Sequence, residues 1–176
     1  MFSRKKPFAL VAVSILLLVL TGCARIYFAR PQPTKGMVLR RFPKEITGIY
    51  SDSVLFLRLR PDSLYLWETG FRLSTKDPGK GEVQIRFASP YYFVNFRDSL
   101  AFPVFMAWAY DNKLAVYMLC GDARSRTVIS RAAKIDTLSR EKQIYRIDPT
   151  PDEFDGLLEW DAWDVVGVLE KKLNQK

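Results

Sequence analysis

The chain contains no histidine and only two cysteines among its 176 residues. Without histidine, the Ser-His-Asp and Cys-His nucleophilic systems, His-based zinc and iron sites and the usual general base at neutral pH are excluded. Two cysteines are too few for a disulfide framework or a four-thiolate zinc site. We therefore expect a protein without a catalytic residue, a cofactor or a metal ion.

The remaining composition is that of a globular protein. Hydrophobic residues make up 48% of the chain and charged residues 26%. This apolar fraction is too high for a disordered chain, and the length suits a single domain.

Residues 1–22 differ from the rest of the chain. Arg4, Lys5 and Lys6 form a cationic head, and an apolar run over residues 8–20 is interrupted only by Ser14. As a helix this run would span about 20 Å, which is short against a hydrocarbon core of about 30 Å. The proportions predict an export signal peptide at residues 1–22.

The end of this leader, Leu20-Thr21-Gly22-Cys23, resembles the lipobox of bacterial lipoproteins. The resemblance implies that the leader is cleaved before Cys23 and that Cys23 carries the lipid anchor, so the membrane is a partner through acyl chains. Ala24, in place of the aspartate that retains many lipoproteins at the inner membrane, favours the outer membrane of the envelope. The alternatives are a secretory peptide with an incidental cysteine, or an uncleaved anchor. Export also argues against nucleic acid as a partner, despite a net charge of +8.

Residues 23–44 carry six basic residues, three prolines and no acid, and this pattern predicts an extended tether for a β domain at residues 45–176. The positive charges of the tether would either bind anionic lipid headgroups or be solvated by water. Eight acids and no Lys or Arg lie at 148–170. The basic and acidic regions could attract each other within the fold, or the basic region could face lipid.

Alternation of apolar and polar residues, the signal of half-buried strands, dominates residues 46–147. Apolar residues alternate at 55–59, 83–87 and 100–110, and Asp111-Asn112 is typical of a two-residue hairpin turn. Pro103 places the strand around it at an edge or a bulge. Shorter candidate strands are 46–50, 64–67, 91–96, 127–135 and 143–147.

Thr150-Pro151-Asp152-Glu153 predicts a helix start with a capping box, and 165–169 a last strand or a continuation of that helix. The predicted fold is one mainly antiparallel β-barrel or two-layer sandwich of about eight to ten strands with one C-terminal helix. Gly48-Ile49-Tyr50 resembles the Gly-x-Trp of the first lipocalin strand, with Tyr for Trp. That resemblance implies a barrel able to hold a ligand.

Aromatic residues are 14% of the chain and concentrate in the predicted strands. Most belong to a core, yet some strands carry aromatics on both faces, so one face could line a ligand cavity or a partner surface. The candidate face comprises Tyr91, Phe93, Phe102, Trp108 and Tyr110. Cys120, between apolar neighbours, is predicted to be a buried thiol.

The sequence therefore predicts a non-catalytic, lipid-anchored envelope lipoprotein that binds a protein partner or an amphipathic ligand at the membrane surface. The first alternative is a carboxylate-based hydrolase of envelope glycans that uses acids of 148–170, which are also the candidates for binding a cation. The second is a purely structural lipoprotein. Helix capping and a solvated face account for most of these acids.

Overall fold

The computed structural model describes residues 25–53, 55–66, 71–74, 83–97, 101–119, 121, 123–141, 143–159 and 162–172. These residues form thirteen strands, two α-helices and one short 3-10 helix, which confirms the predicted mainly β fold. The predicted leader, Cys23 and Cys120 lie outside the described residues. Neither α-helix of the described part is long and apolar enough to cross a membrane.

Ten strands form one antiparallel sheet that curls into a half-barrel. They are β2 (Met37–Leu39), β3 (Gly48–Ser51), β4 (Phe56–Arg60), β5 (Ser63–Leu66), β6 (Phe71–Ser74), β7 (Val83–Ala88), β8 (Tyr91–Phe96), β9 (Val104–Tyr110), β10 (Lys113–Leu119) and β13 (Trp163–Lys172). Strands β3 to β6 form one four-stranded meander, and β7 to β10 form a second. Strand β13 lies between β10 and β3 and joins the two meanders, while β2 pairs with the free side of β7.

The predicted turn at Asp111-Asn112 connects β9 to β10. Both residues have positive φ, 44° and 60°, as a type I′ hairpin turn requires. The expectation that Pro103 lies in an edge or bulged strand is wrong, because β9 begins after Pro103 and lies between β8 and β10. Pro103 still joins the ladder as an acceptor, since its carbonyl accepts a hydrogen bond from Phe96 N–H at 3.0 Å.

One face of the curled sheet encloses a buried cluster, the inner core. Its members come from strands near both ends of the sheet, which shows that this is the concave face. The inner core consists of Phe42, Ile46, Tyr50, Leu57, Leu59, Ile85, Val94, Ala107, Leu114 and Leu169. The two ends of the sheet are also linked through the backbone, because Phe42 N–H donates to Pro61 O at 2.8 Å.

A second layer covers part of the convex face. It contains a three-stranded sheet of β1 (Arg25–Phe28), β12 (Ile144–Ile147) and β11 (Ile135–Ser139), in that order, with helices α1 (Ala123–Ala132) and α2 (Pro151–Glu159). Between the two layers lies the outer core: Ile26, Phe28, Phe93, Val104, Met106, Leu119, Ile129, Ala133, Ile147, Phe154, Leu157, Ala162 and Trp163.

Helix α1 corrects the predicted strand at 127–135. Its buried positions, Ser125, Ile129 and the following Ala133, recur every four residues and so lie on one side of a helix. The β-branched run Thr127, Val128 and Ile129 suggested a strand, but packing against the outer core outweighs that weak propensity.

Helix α2 begins as predicted. Glu153 Oε2 accepts a hydrogen bond from Thr150 N–H at 2.6 Å, and Thr150 Oγ1 accepts one from Glu153 N–H at 3.4 Å. These reciprocal bonds form the capping box. Residues 163–172 are a strand rather than a continuation of the helix.

The predicted tether is part of the fold from Arg25 onward. Strand β1 pairs in parallel with β12, and Ile26 and Phe28 are buried in the outer core. Ile26 and Phe28 alternate as in a half-buried strand, but the basic residues of this segment made it resemble a solvated linker. Two of them meet the acidic segment: Arg30 forms a bidentate ion pair with Asp148, and Lys35 Nζ lies 3.5 Å from Asp152.

Asn95 holds the same segment to the main sheet. Its Oδ1 accepts a hydrogen bond from Gln32 N–H at 2.6 Å, and its Nδ2 donates to Gln32 O at 2.8 Å. Both residues are fully buried. Because no water reaches these backbone groups, the Asn95 amide is their partner in the fold.

Replacing Asn95 by alanine should therefore lower the free energy of unfolding by about 2–4 kcal/mol, since it leaves a buried N–H and C=O unpaired and opens a cavity. Chemical denaturation of the detergent-solubilised chain measures this change. The exposed Thr137→Ala serves as the control and should change the free energy by less than about 0.5 kcal/mol. Equal effects of the two substitutions would contradict the role given to Asn95.

Candidate functional site

Three of the five predicted face residues lie together on the convex face of the sheet. Tyr91 is the first residue of β8. Trp108 and Tyr110 lie two residues apart on β9, so their side chains are on the same face. The Trp108 ring lies 6.4 Å from the Tyr91 ring, edge to face, and 4.5 Å from the Tyr110 ring. The alternation that predicted these residues therefore also brings them into contact.

The other two residues, Phe93 and Phe102, belong to the outer core. Phe93 is completely buried, and its ring packs 5.5 Å from Phe154 and 6.1 Å from Trp163. Phe102 is half-buried against the same core and pairs with Phe28 in an isolated bridge. Both lie on the predicted face, but the second layer covers that part of the sheet.

The structure extends the exposed part of this face across β10 to β13. In one row across β9, β10 and β13, Trp108 lies opposite Ala115 and Ala115 opposite Val168. In the next row, Met106 lies opposite Tyr117 and Tyr117 opposite Val165. Antiparallel partners point their side chains to the same face. We call this group the aromatic–valine face: the exposed Trp108, Val165 and Val168 with the half-buried Tyr91, Tyr110 and Tyr117.

Exposure distinguishes Trp108, Val165 and Val168 from the cores. Trp108 is 37% exposed, Val168 40% and Val165 58%. Ala115 between them is 1% exposed, because its larger neighbours cover it. The result is a continuous apolar surface on central strands, of the kind that in a soluble domain indicates an interaction site.

Sequence reasoning missed the β13 side of this face for a physical reason. The pairing of β10 with β13 shifts between Val116 and Tyr117, so Val166 is an extra residue in β13. A bulge of this kind interrupts the period of two from which faces are read. The run Val165-Val166-Gly167-Val168 therefore shows no alternation in the sequence.

The rim of the face is charged. Tyr110 lies opposite Lys113, which lies opposite Glu170, and both charged residues are exposed. An apolar centre with a polar rim is the usual composition of a protein–protein interface.

Three tyrosine hydroxyls lie within electrostatic range of one another on this face. Burial raises the pKa of Tyr117 above its ordinary value of 10.0, and the nearby Tyr110 and Tyr91 raise it further because a second phenolate would be repelled. Tyr117 is therefore neutral at physiological pH and can donate a hydrogen bond to a partner.

The acids that favoured a hydrolase or a cation site lie elsewhere. Of those described in the acidic segment, all are exposed except the half-buried cap Glu153. Asp148 and Asp152 are in ion pairs with Arg30 and Lys35. Within the described ranges, no three His, Cys, Asp or Glu side chains are grouped as metal ligands would be.

The Gly48-Ile49-Tyr50 motif lies on the inner side of the half-barrel. Tyr50 is 1% exposed, its hydroxyl donates to Ile46 O at 3.1 Å, and Lys171 Nζ lies 5.7 Å from the centre of its ring. Burial raises the pKa of Tyr50. In the described part of the chain, side chains of the inner core fill this end of the curled sheet.

No protein-family model, curated protein or solved structure matches this chain. The lipoprotein and lipocalin resemblances therefore stay predictions, and the candidate site depends on its own geometry.

The proximity of the tyrosines can be tested by titration. Tyr110→Phe removes one ionisable neighbour and should lower the pKa of Tyr117 toward 10.0. NMR of ring-labelled tyrosine measures the pKa of Tyr117. Tyr92→Phe, on the opposite face of the sheet, is the control and should leave the Tyr117 pKa unchanged. Because the folded pKa of Tyr117 is raised, its contribution to stability is complete below pH 10 and is lost as the pH rises through the folded pKa.

Proposed function

We propose that this chain is a non-catalytic lipoprotein of the bacterial envelope, anchored through acyl chains on Cys23, that binds a protein partner through the aromatic–valine face. The observation that carries the binding proposal is the exposure of Trp108, Val165 and Val168 on central strands of the sheet. Burying such side chains stabilises a complex by about 25 cal/mol per Å² of apolar area, before the costs of association.

A protein partner fits this face better than a small amphipathic ligand. Small ligands bind in concave sites that enclose most of their surface. The aromatic–valine face lies on the convex side of the sheet, whereas the concave side holds the inner core. Four of its six residues are tyrosine or tryptophan, which are enriched at protein interfaces.

The proposed anchor rests on the leader, and the proposed outer-membrane location rests on Ala24 after Cys23. A cationic head, a short apolar run and Leu20-Thr21-Gly22-Cys23 occur in the order that lipid attachment requires. Two or three acyl chains hold a protein stably at a membrane without a spanning helix.

Cys23→Ala should prevent acylation and processing. The expected result is loss of the acyl mass from the N-terminal peptide and retention of the leader, both measured by mass spectrometry. Cys120→Ala is the matched control and should be processed normally. Unchanged processing of Cys23→Ala would refute the lipoprotein proposal.

The binding proposal is tested by photo-crosslinking in intact cells. A photoreactive residue at position 165 should give a discrete adduct, and one at Asp155, exposed on α2, should not. In the same cells, Trp108→Ser with Val168→Thr should reduce the adduct, because loss of interface anchors costs about 2–4 kcal/mol, roughly 30-fold to 1,000-fold in affinity.

The matched control pair is Met37→Ser with Val38→Thr, which removes exposed apolar residues from β2. This pair should leave the adduct unchanged. Both pairs should retain the unfolding midpoint, because all four side chains are at least one-third exposed. An adduct of twice the chain mass would identify the partner as a second copy, and absence of any adduct at 165 would contradict the proposal.

A further inference from the structure

The described fold includes Arg25, only two residues after the proposed lipid anchor, and this inference rests on that anchor. Arg25 is the first residue of β1, so only Ala24 separates it from Cys23. Two residues of extended chain span at most about 7 Å. Acyl chains on Cys23 would therefore hold the start of β1 at the bilayer surface, rather than tens of ångströms above it.

The start of β1 lies at one end of the three-stranded sheet. Arg25 is opposite Ile144, and its N–H donates to Gln143 O at 2.9 Å. Gln143 belongs to the turn that connects β11 to β12, and that turn also contains the exposed Arg140. The anchor thus places this turn beside the bilayer.

A third cation lies at the same end. The Arg126 guanidinium is 6.0 Å from the centre of the Tyr145 ring, and Tyr145 is opposite Ile26, the second residue of β1. We call Arg25, Arg126 and Arg140 the basic end of the outer layer. The sequence around it is also cationic, since residues 123–147 contain seven basic and two acidic residues.

Negative charge collects at the opposite end of the same sheet. Because β1 and β12 are parallel, both finish there, at Phe28 and Ile147, and the acidic helix α2 starts four residues after Ile147. Asp152 and Asp155 of this helix are exposed. The outer layer therefore has exposed arginines where the chain comes from its anchor, and the acids of α2 at the far end, where Asp148 is paired with Arg30 and Asp152 with Lys35.

We infer that the basic end binds the anionic headgroups of the bilayer that holds the Cys23 acyl chains, so that the domain has a fixed orientation with α2 turned away from the lipid. Cations in contact with an anionic bilayer each strengthen binding about fivefold at physiological salt, and the attraction decays within about 8 Å. The short connection keeps Arg25 within that distance, and Arg126 and Arg140 lie at the same end of the outer layer.

Headgroup quenching tests this orientation on the full lipidated chain with Cys120→Ala. A fluorophore is attached at Glu141→Cys, beside the basic end, or at Asp155→Cys on α2. Both substitutions remove one exposed acid, so their charge is matched. Vesicles of phosphatidylethanolamine and phosphatidylglycerol carry a nitroxide on some headgroups. Quenching should be several-fold stronger at 141 than at 155; equal quenching, or stronger quenching at 155, would overturn the inference.

The role of charge is tested by Arg25→Gln, Arg126→Gln and Arg140→Gln together. The matched triple is Arg40→Gln, Arg41→Gln and Lys44→Gln, three exposed cations near β2. The triple substitution at the basic end, or replacement of phosphatidylglycerol by phosphatidylcholine, should remove the difference in quenching between positions 141 and 155. The matched triple should not. A difference that survives both changes would show that anionic headgroups do not set the orientation.

Failure of the anchor is visible separately. Mass spectrometry of the N-terminal peptide shows whether Cys23 carries acyl groups, and flotation shows whether the chain is bound to vesicles. A chain without acyl groups would refute the proposed anchor and this inference with it. An acylated, vesicle-bound chain with equal quenching at both labels would refute the orientation alone.

Discussion

The pairing of β13 with β10 on one side and β3 on the other is the constraint on which the rest of the structure depends. It joins two four-stranded meanders that are otherwise separate in the sheet. The same strand contributes Trp163 to the outer core, Leu169 to the inner core and Val165 to the aromatic–valine face. Because β13 is the last strand, both cores and the candidate site are complete only when the C-terminal part of the chain has docked.

The alternation of apolar and polar residues predicted much of the main sheet. It did not predict which part of a face is buried and which part is exposed. Phe93 and Trp108 follow the same alternation and point to the same side of the sheet. One is fully buried and the other 37% exposed, because the outer layer ends between them. That boundary is a tertiary property, set by where β1, α1 and α2 pack, and no local pattern contains it.

Two further errors share one cause. At residues 23–44 the charges and prolines suggested an extended tether, and at 127–135 the β-branched residues suggested a strand. In each case the deciding feature is a small buried set: Ile26 and Phe28 in β1, and Ile129 and Ala133 beside α1. These sets are too short to stand out in the sequence, yet burial in a shared core fixes the structure around them.

The basic N-terminal segment is attached to the fold by weak ion pairs with the acidic segment and by stronger buried contacts. Arg30 and Asp148 are about half exposed, and Lys35 and Asp152 more so, so their ion pairs are screened by water and contribute little to stability. Burial of Ile26 and Phe28 and the hydrogen bonds of Asn95 hold the N-terminal segment in place. The ion pairs instead neutralise Arg30 and Lys35 beside the acidic helix.

The location of the aromatic–valine face on central strands determines how a partner could use it. An edge strand offers unpaired backbone groups, and β2, with Met37 and Val38 exposed, is such an edge. On β10 the backbone is already paired on both sides, with β9 and with β13, whereas β13 pairs with β3 only at residues 170–172. A partner that covers β10 must bind through side chains there, so shape and the hydrogen-bonding tips of Trp108 and Tyr117 would set its specificity.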